Sequence, residues 1–273
     1  MTEPRRFYDV ETGGPIELQL RQNGAEFHVL RQFGYRDPGY GDAFVVPAEV
    51  ETFTTDLASI PRPFMWLVPG LGTHLPAVVL HDGLVVAPGG EPTHLGPRID
   101  REEADRILRD AMASLATPRI RRWLMWSGVA LATAWSTLTP RWWWRSLVTA
   151  TITIVAVLGV AATLDIIDVW DGLPWMADRP WWAELGGGVV LAVLIPLLVS
   201  IAWGRRWPAG AILGVALALL LHVTVVLLAL LGVYWMAEWL VSRSEGTGPD
   251  VSDHLDRATG DRSGPREAAE ASP

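Results

Sequence analysis

Apolar and polar residues alternate with a period of two near the start of the chain. IELQLR (16–21) and EFHVLRQF (26–33) predict two strands joined by the Asn23-Gly24 turn. AFVVP (43–47) and EVETFTT (49–55) predict two more, so a small antiparallel sheet is expected to open the fold. The period then lengthens. Residues 75–86 read as a short apolar helix with Ala77, Val78, His81, Leu84 and Val85 on one face. Residues 100–115 read as a second, opened by Asp100 and Glu103 at capping-box spacing, with Ala104, Ile107, Leu108, Ala111 and Leu115 as its buried stripe. Thr117-Pro118 starts a third helix, running to about Trp135, with Thr117 expected as N-cap. A Gly/Pro loop, 87–97, separates the first two.

Beyond about Leu147 the pattern becomes continuously apolar. Three windows approach or exceed the roughly 20 residues a bilayer crossing needs: 147–164, 185–203 and 209–235. Trp142 to Trp144, Trp170, Trp175, Trp181, Trp182, Trp203, Trp207, Trp235 and Trp239 mark their edges, as an aromatic belt does. The turn GRRWP makes the second and third windows an antiparallel hairpin, Pro196 is expected to kink the second, and Gly210 and Gly214 allow close helix approach. The predicted class is therefore α+β, a small sheet plus helices in a soluble head followed by three transmembrane helices. Its expected parts are a head over 1–138, a membrane region over 139–242 and a disordered acidic tail over 243–273.

Charge sets the expected orientation. Arg119, Arg121, Arg122, Arg141 and Arg145 precede the first window, and Arg205 and Arg206 fill the hairpin turn. The 165–184 loop holds Asp165, Asp168, Asp171, Asp178 and Glu184 against Arg179 alone. By the positive-inside rule the head is cytoplasmic, and the loop and tail lie outside. The first residues carry no signal-peptide-like apolar run, in keeping with a head that stays where it is made. His222 is the one ionisable group inside a window, and such a group is a functional candidate by position. The chain has no cysteine, which excludes disulfides, thiolate zinc sites and Cys nucleophiles. Its net charge of −8, without a basic nucleic-acid motif, argues against nucleic acid as a partner and leaves the lipid bilayer as the expected one.

Chemistry concentrates in FTTDLASIPRP (53–63), His81-Asp82 and Asp105. If the first two helices pack antiparallel, His81 meets Asp105, and a His oriented by a buried carboxylate is a usable general base. Asp82 points about 100° away from His81 and, with Asp56, offers oxygen ligands to a hard divalent cation such as calcium. Ser59 is expected to cap a short helix near Pro61 rather than act as a nucleophile. The same residues also have structural uses: Asp56 in an Asx-turn, Asp105 paired with Arg101.

The run from about Val45 to Trp135 resembles a bacterial and phage family, domain-of-unknown-function family 1353. VPAEVETFTTDLASIPRPF, AVVLHDGL and REEADRILRDAM carry the resemblance. It implies that Asp56, Ser59, His81, Asp82 and Asp105 belong to one site, with Pro61 and Arg62 as further motif residues. The membrane region falls outside the resemblance; taken with the three apolar windows, a bacterial source makes the bacterial inner membrane, crossed several times, the expected location. Val85 stands where the family pattern has tyrosine. More remotely, the His-Asp helix followed by an Asp-bearing helix is similar to secreted phospholipase A2 enzymes. That likeness implies His81 as base, Asp82 as calcium ligand and Asp105 as orienting acid. Two functions are carried forward: a membrane-anchored head with a hydrolase-like His/Asp site, and a non-catalytic phage- or prophage-type assembly module tethered to the membrane.

Overall fold

The computed structural model describes residues 5–23, 26–55, 57, 71–86, 90–176 and 179–244. Its strands are β1 (Phe7–Asp9), β2 (Leu20–Asn23), β3 (Glu26–Val29), β4 (Phe33–Tyr35), β5 (Phe44–Val46) and β6 (Thr54–Thr55). They form two antiparallel sheets of order β1-β4-β5 and β2-β3-β6, where the sequence suggests one. The β2–β3 pairing runs from Leu20↔Val29 to Asn23↔Glu26, the hairpin that Asn23-Gly24 predicts. EFHVLRQF is divided between sheets, its first half in β3 and Phe33 in β4. In the first sheet Phe7 pairs with Tyr35, Tyr35 with Phe44, and Phe33 with Val46. Directly opposed residues share a face, so these five side chains form one apolar surface, and all are buried.

The helices of the head cover that surface. They are α1 (Leu75–Leu84), α2 (Arg101–Ser114) and α3 (Arg119–Ser136). α2 packs against both α1 and α3, and α1 also reaches β5. A Cβ built on Gly83 would lie 2.6 Å from Val46 Cγ1, so glycine is what lets α1 sit down on β5. Seven of the ten α1 residues are buried, more than the single face its spacing suggests. Asp100 caps α2 by accepting from the Glu103 amide at 2.8 Å. At α3 the cap falls on Pro118, one residue later than expected, and Thr117 is buried behind it.

Among the described residues, three helical stretches are long and apolar enough to cross a membrane: Arg141–Ile166, Trp181–Leu220 and Val225–Arg243, with mean hydropathies of 2.3, 2.5 and 1.9. They lie on α4 (Arg141–Ile166), α5 (Trp181–Ser200), a 3-10 turn (Ile201–Arg206) and α6 (Trp207–Ser244). The second stretch runs through the GRRWP segment because helical turns continue there. The direction still changes at Gly204, whose φ of 57° and ψ of −125° are non-helical. α6 returns against α5 closely enough that a Cβ on Gly214 would lie 2.7 Å from Pro196 Cβ. Contacts divide the chain into two units, Met1–Thr224 and Val225–Pro273. In the second, no residue of Val225–Arg243 is buried. His222 falls on α6, but its side chain lies outside the described part, as does the tail beyond Ser244.

Candidate His/Asp site

α1 leaves its imidazole nowhere to go but inward. His81 is 8% exposed among Ala77, Val78, Leu80 and Leu84, and a buried ring nitrogen needs a polar partner. Asp105 supplies it. Its Oδ1 lies 2.8 Å from His81 Nε2, joining α1 to α2. The second oxygen of this 3%-exposed carboxylate accepts from Thr133 Oγ1 on α3 at 2.7 Å. Thr133 Oγ1 in turn accepts from Arg101 Nε at 3.2 Å. Three helices thus meet at one carboxylate, with both of its oxygens engaged.

A carboxylate accepts, so the neutral imidazole carries its proton on Nε2 and its lone pair on Nδ1. That second nitrogen lies 4.0 Å from Asp82 Oδ1. Asp82 is not turned fully away from His81, although it is the next residue on the helix. Its Oδ2 accepts from Thr55 Oγ1 at 2.5 Å, and Thr55 Oγ1 also accepts from the Leu57 amide at 3.0 Å. Leu57 holds a φ of 64°, in the left-handed region that costs a branched apolar residue energy. Strand β6 is thereby tied to the outer side of the His81 ring.

A second ionic cluster fixes α2 from its other face. Arg106 bonds Asp37 at 2.9 Å, Glu103 at 2.8 Å and Asp110 at 2.9 Å, and Tyr40 donates to Glu103 at 3.1 Å. The Arg106 hydrogen bond holds the Glu103 carboxyl below its ordinary value, and the guanidinium is raised above its own, first by the bond to Glu103. These bonds pin the 37–40 loop to α2 and so fix the helix that carries Asp105.

Sequence reasoning reached His81, Asp82 and Asp105, and the structure brings them together. It did not reach Thr133, a hydroxyl in an Ala-rich segment, or assign Thr55 a role. The expected Arg101–Asp105 pair is relayed instead, through the Thr133 hydroxyl. Asp56, Ser59, Pro61 and Arg62 lie outside the described residues. Among the described residues no three His, Cys, Asp or Glu gather as a metal site. Asp82 with Thr55 provides one carboxylate and one hydroxyl, short of the six to eight oxygens calcium takes.

No curated protein and no solved structure matches the chain. Residues 27–129, the run that carries His81, Asp82 and Asp105, match the family described as "Protein of unknown function (DUF1353)".

Proposed function

We propose that this membrane-anchored protein is a hydrolase whose head uses His81 as general base. The observation that carries the reading is the 2.8 Å His81–Asp105 bond, which commits Nε2 and frees the Nδ1 lone pair beside Asp82. In this reading Nδ1 takes a proton from water as the water attacks an ester-type carbonyl. Asp105 stabilises the imidazolium, and the same proton then passes to the leaving oxygen as the acyl bond breaks. Thr133 holds Asp105 in the orientation the ring needs. A cation on Asp82 and Asp56 would be an addition to this scheme, and no step depends on it.

The head is proposed to face the cytoplasm of a bacterial cell, with residues 1–138 as head, 139–242 as membrane region and the remainder as an outside tail. Arginine placement supports this. An ion pair between Glu102 of α2 and Arg206 of the 3-10 turn supports a head and an α5–α6 turn that share one side of the bilayer.

The test is hydrolysis of chromogenic and lipid esters by the purified full-length chain, with calcium and chelator arms. Activity that falls by roughly 10²–10⁴ in both His81→Ala and Asp105→Asn supports the reading. Turnover unchanged in both variants, or none in the parent protein on any ester, rejects it. The second reading, a non-catalytic assembly module, is favoured by the 8% exposure of His81. It predicts that Asp105→Asn lowers the melting temperature while the parent protein hydrolyses nothing.

A further inference from the structure

Among the described residues, four arginines are neutralised from within. Arg31 meets Asp9, Glu11 and Glu17, Arg106 meets Asp37, Glu103 and Asp110, Arg109 meets Asp110, and Arg206 meets Glu102. Three others gathered at the head-side end of the membrane helices are not. Arg141 and Arg145 on the first turns of α4, and Arg205 in the 3-10 turn, are all exposed and pair with no carboxylate among the described residues.

Aromatic contacts hold these elements together. The Arg206 guanidinium lies 5.0 Å from the Trp144 ring centre, and Trp144 meets the Trp203 ring edge-on at 6.3 Å. Buried Trp203 donates from Nε1 to Thr151 Oγ1 of α4 at 3.1 Å. The turn bearing Arg205 is therefore seated on α4. Arg145 lies 5.5 Å over the Trp135 ring, and its Nε donates to the Trp135 carbonyl at 3.3 Å. That bond fixes the side chain and leaves its terminal amino groups for an outside acceptor. Trp142 and Trp143 stand alongside, 68% and 47% exposed.

Guanidinium forks without a protein anion, set among exposed indoles where an apolar helix begins, match the depth and chemistry of a phosphodiester in a leaflet. A zwitterionic lipid brings its own ammonium to the same place and gains less. We infer that Arg141, Arg145 and Arg205 form a binding site for the headgroup of an anionic phospholipid, with Trp142 and Trp143 against its glycerol region. The site is independent of any chemistry at His81.

The test uses the full-length chain in detergent, given equimolar phosphatidylglycerol and phosphatidylcholine, with bound lipid counted by native mass spectrometry. The parent protein retains phosphatidylglycerol in preference. Each single Arg→Gln change at the three positions lowers that preference about fivefold, from about 1 kcal/mol per arginine at a membrane surface. The triple Gln variant loses it, and the triple Lys variant, which keeps the charge, retains most of it. Arg21→Gln, Arg98→Gln and Arg119→Gln together, on exposed head arginines, leave it unchanged. Excess inorganic phosphate does not displace the lipid. No preference in the parent, an equal loss in the head control, or full displacement by free phosphate would each overturn the inference.

Discussion

Thr133 shows how much a single hydroxyl can decide. It fills one lone pair of a carboxylate that is 3% exposed, while the imidazole fills the other side. Thr133→Val keeps the shape and removes the donor, so Asp105 Oδ2 is left buried and bare; a loss of about 1–3 kcal/mol in a denaturant melt is expected, with Thr133→Ser restoring most of it. Tyr35 gives a pH-dependent counterpart. Burial pushes its phenol up to about 12 from an ordinary 10.0. Between those values the unfolded chain has lost the proton and the folded one has kept it, so stability falls as pH rises from 10 to 12. Tyr35→Phe should flatten that decline. At the acid end Glu103 behaves in the opposite sense. Its carboxyl is lowered from 4.5 by the Arg106 bond, so its contribution is complete above that value and is lost as pH falls through the lower, folded one. Glu103→Gln should therefore weaken the acid dependence of the melt below pH 4.5. The His-acid pairing was legible in the sequence because His81 falls on the apolar face of one helix and Asp105 borders the buried stripe of the next. The hydroxyls of Thr133 and Thr55 were not, since a buried threonine leaves no mark on a periodic pattern.

Among elements, the helices were more readable than the strands, and for a physical reason. Asp100 announces the start of α2 through a local hydrogen bond to Glu103, which needs no knowledge of the rest of the fold. A strand of three residues takes its identity from its partner. Alternation in EFHVLRQF lapses at Leu30–Gln32, between Val29, which pairs with Leu20, and Phe33, which pairs with Val46 and Asp9 in the other sheet. The lapse marks an interruption, but nothing local says which partner each half takes. The α1–β5 contact is equally invisible in sequence, although Gly83 carries it. Gly83→Val would drive a branched side chain into Val46, and a destabilisation of about 1–3 kcal/mol is expected, read from the thermal melt of the full-length chain.

For the whole molecule, the absence of cysteine makes orientation directly measurable. Single cysteines at Thr12 in the head, Arg205 in the hairpin turn and Asp171 in the acidic loop can be labelled in right-side-out cells with a membrane-impermeant maleimide. Asp171→Cys should react before permeabilisation, and Thr12→Cys and Arg205→Cys only after it. Reaction of Thr12→Cys in intact cells would reverse the proposed orientation. The expected stretches of high hydropathy were plain in sequence because hydrocarbon demands them locally. How the head meets the turn, through Glu102 and Arg206, was not, since the two lie about a hundred residues apart along the chain.

Gly204 gives this architecture a single point of decision. Its φ of 57° and ψ of −125° match the first central position of a type II′ turn, a setting that side chains with a Cβ resist. Were the peptide there to relax into ordinary helical angles, α5 and α6 would merge into one rod, and the three crossings of the proposed topology would become two. Under that topology the carboxyl terminus would then share a compartment with the amino terminus. The proposed side for the end of the chain thus rests on the left-handed backbone of one glycine between α5 and α6.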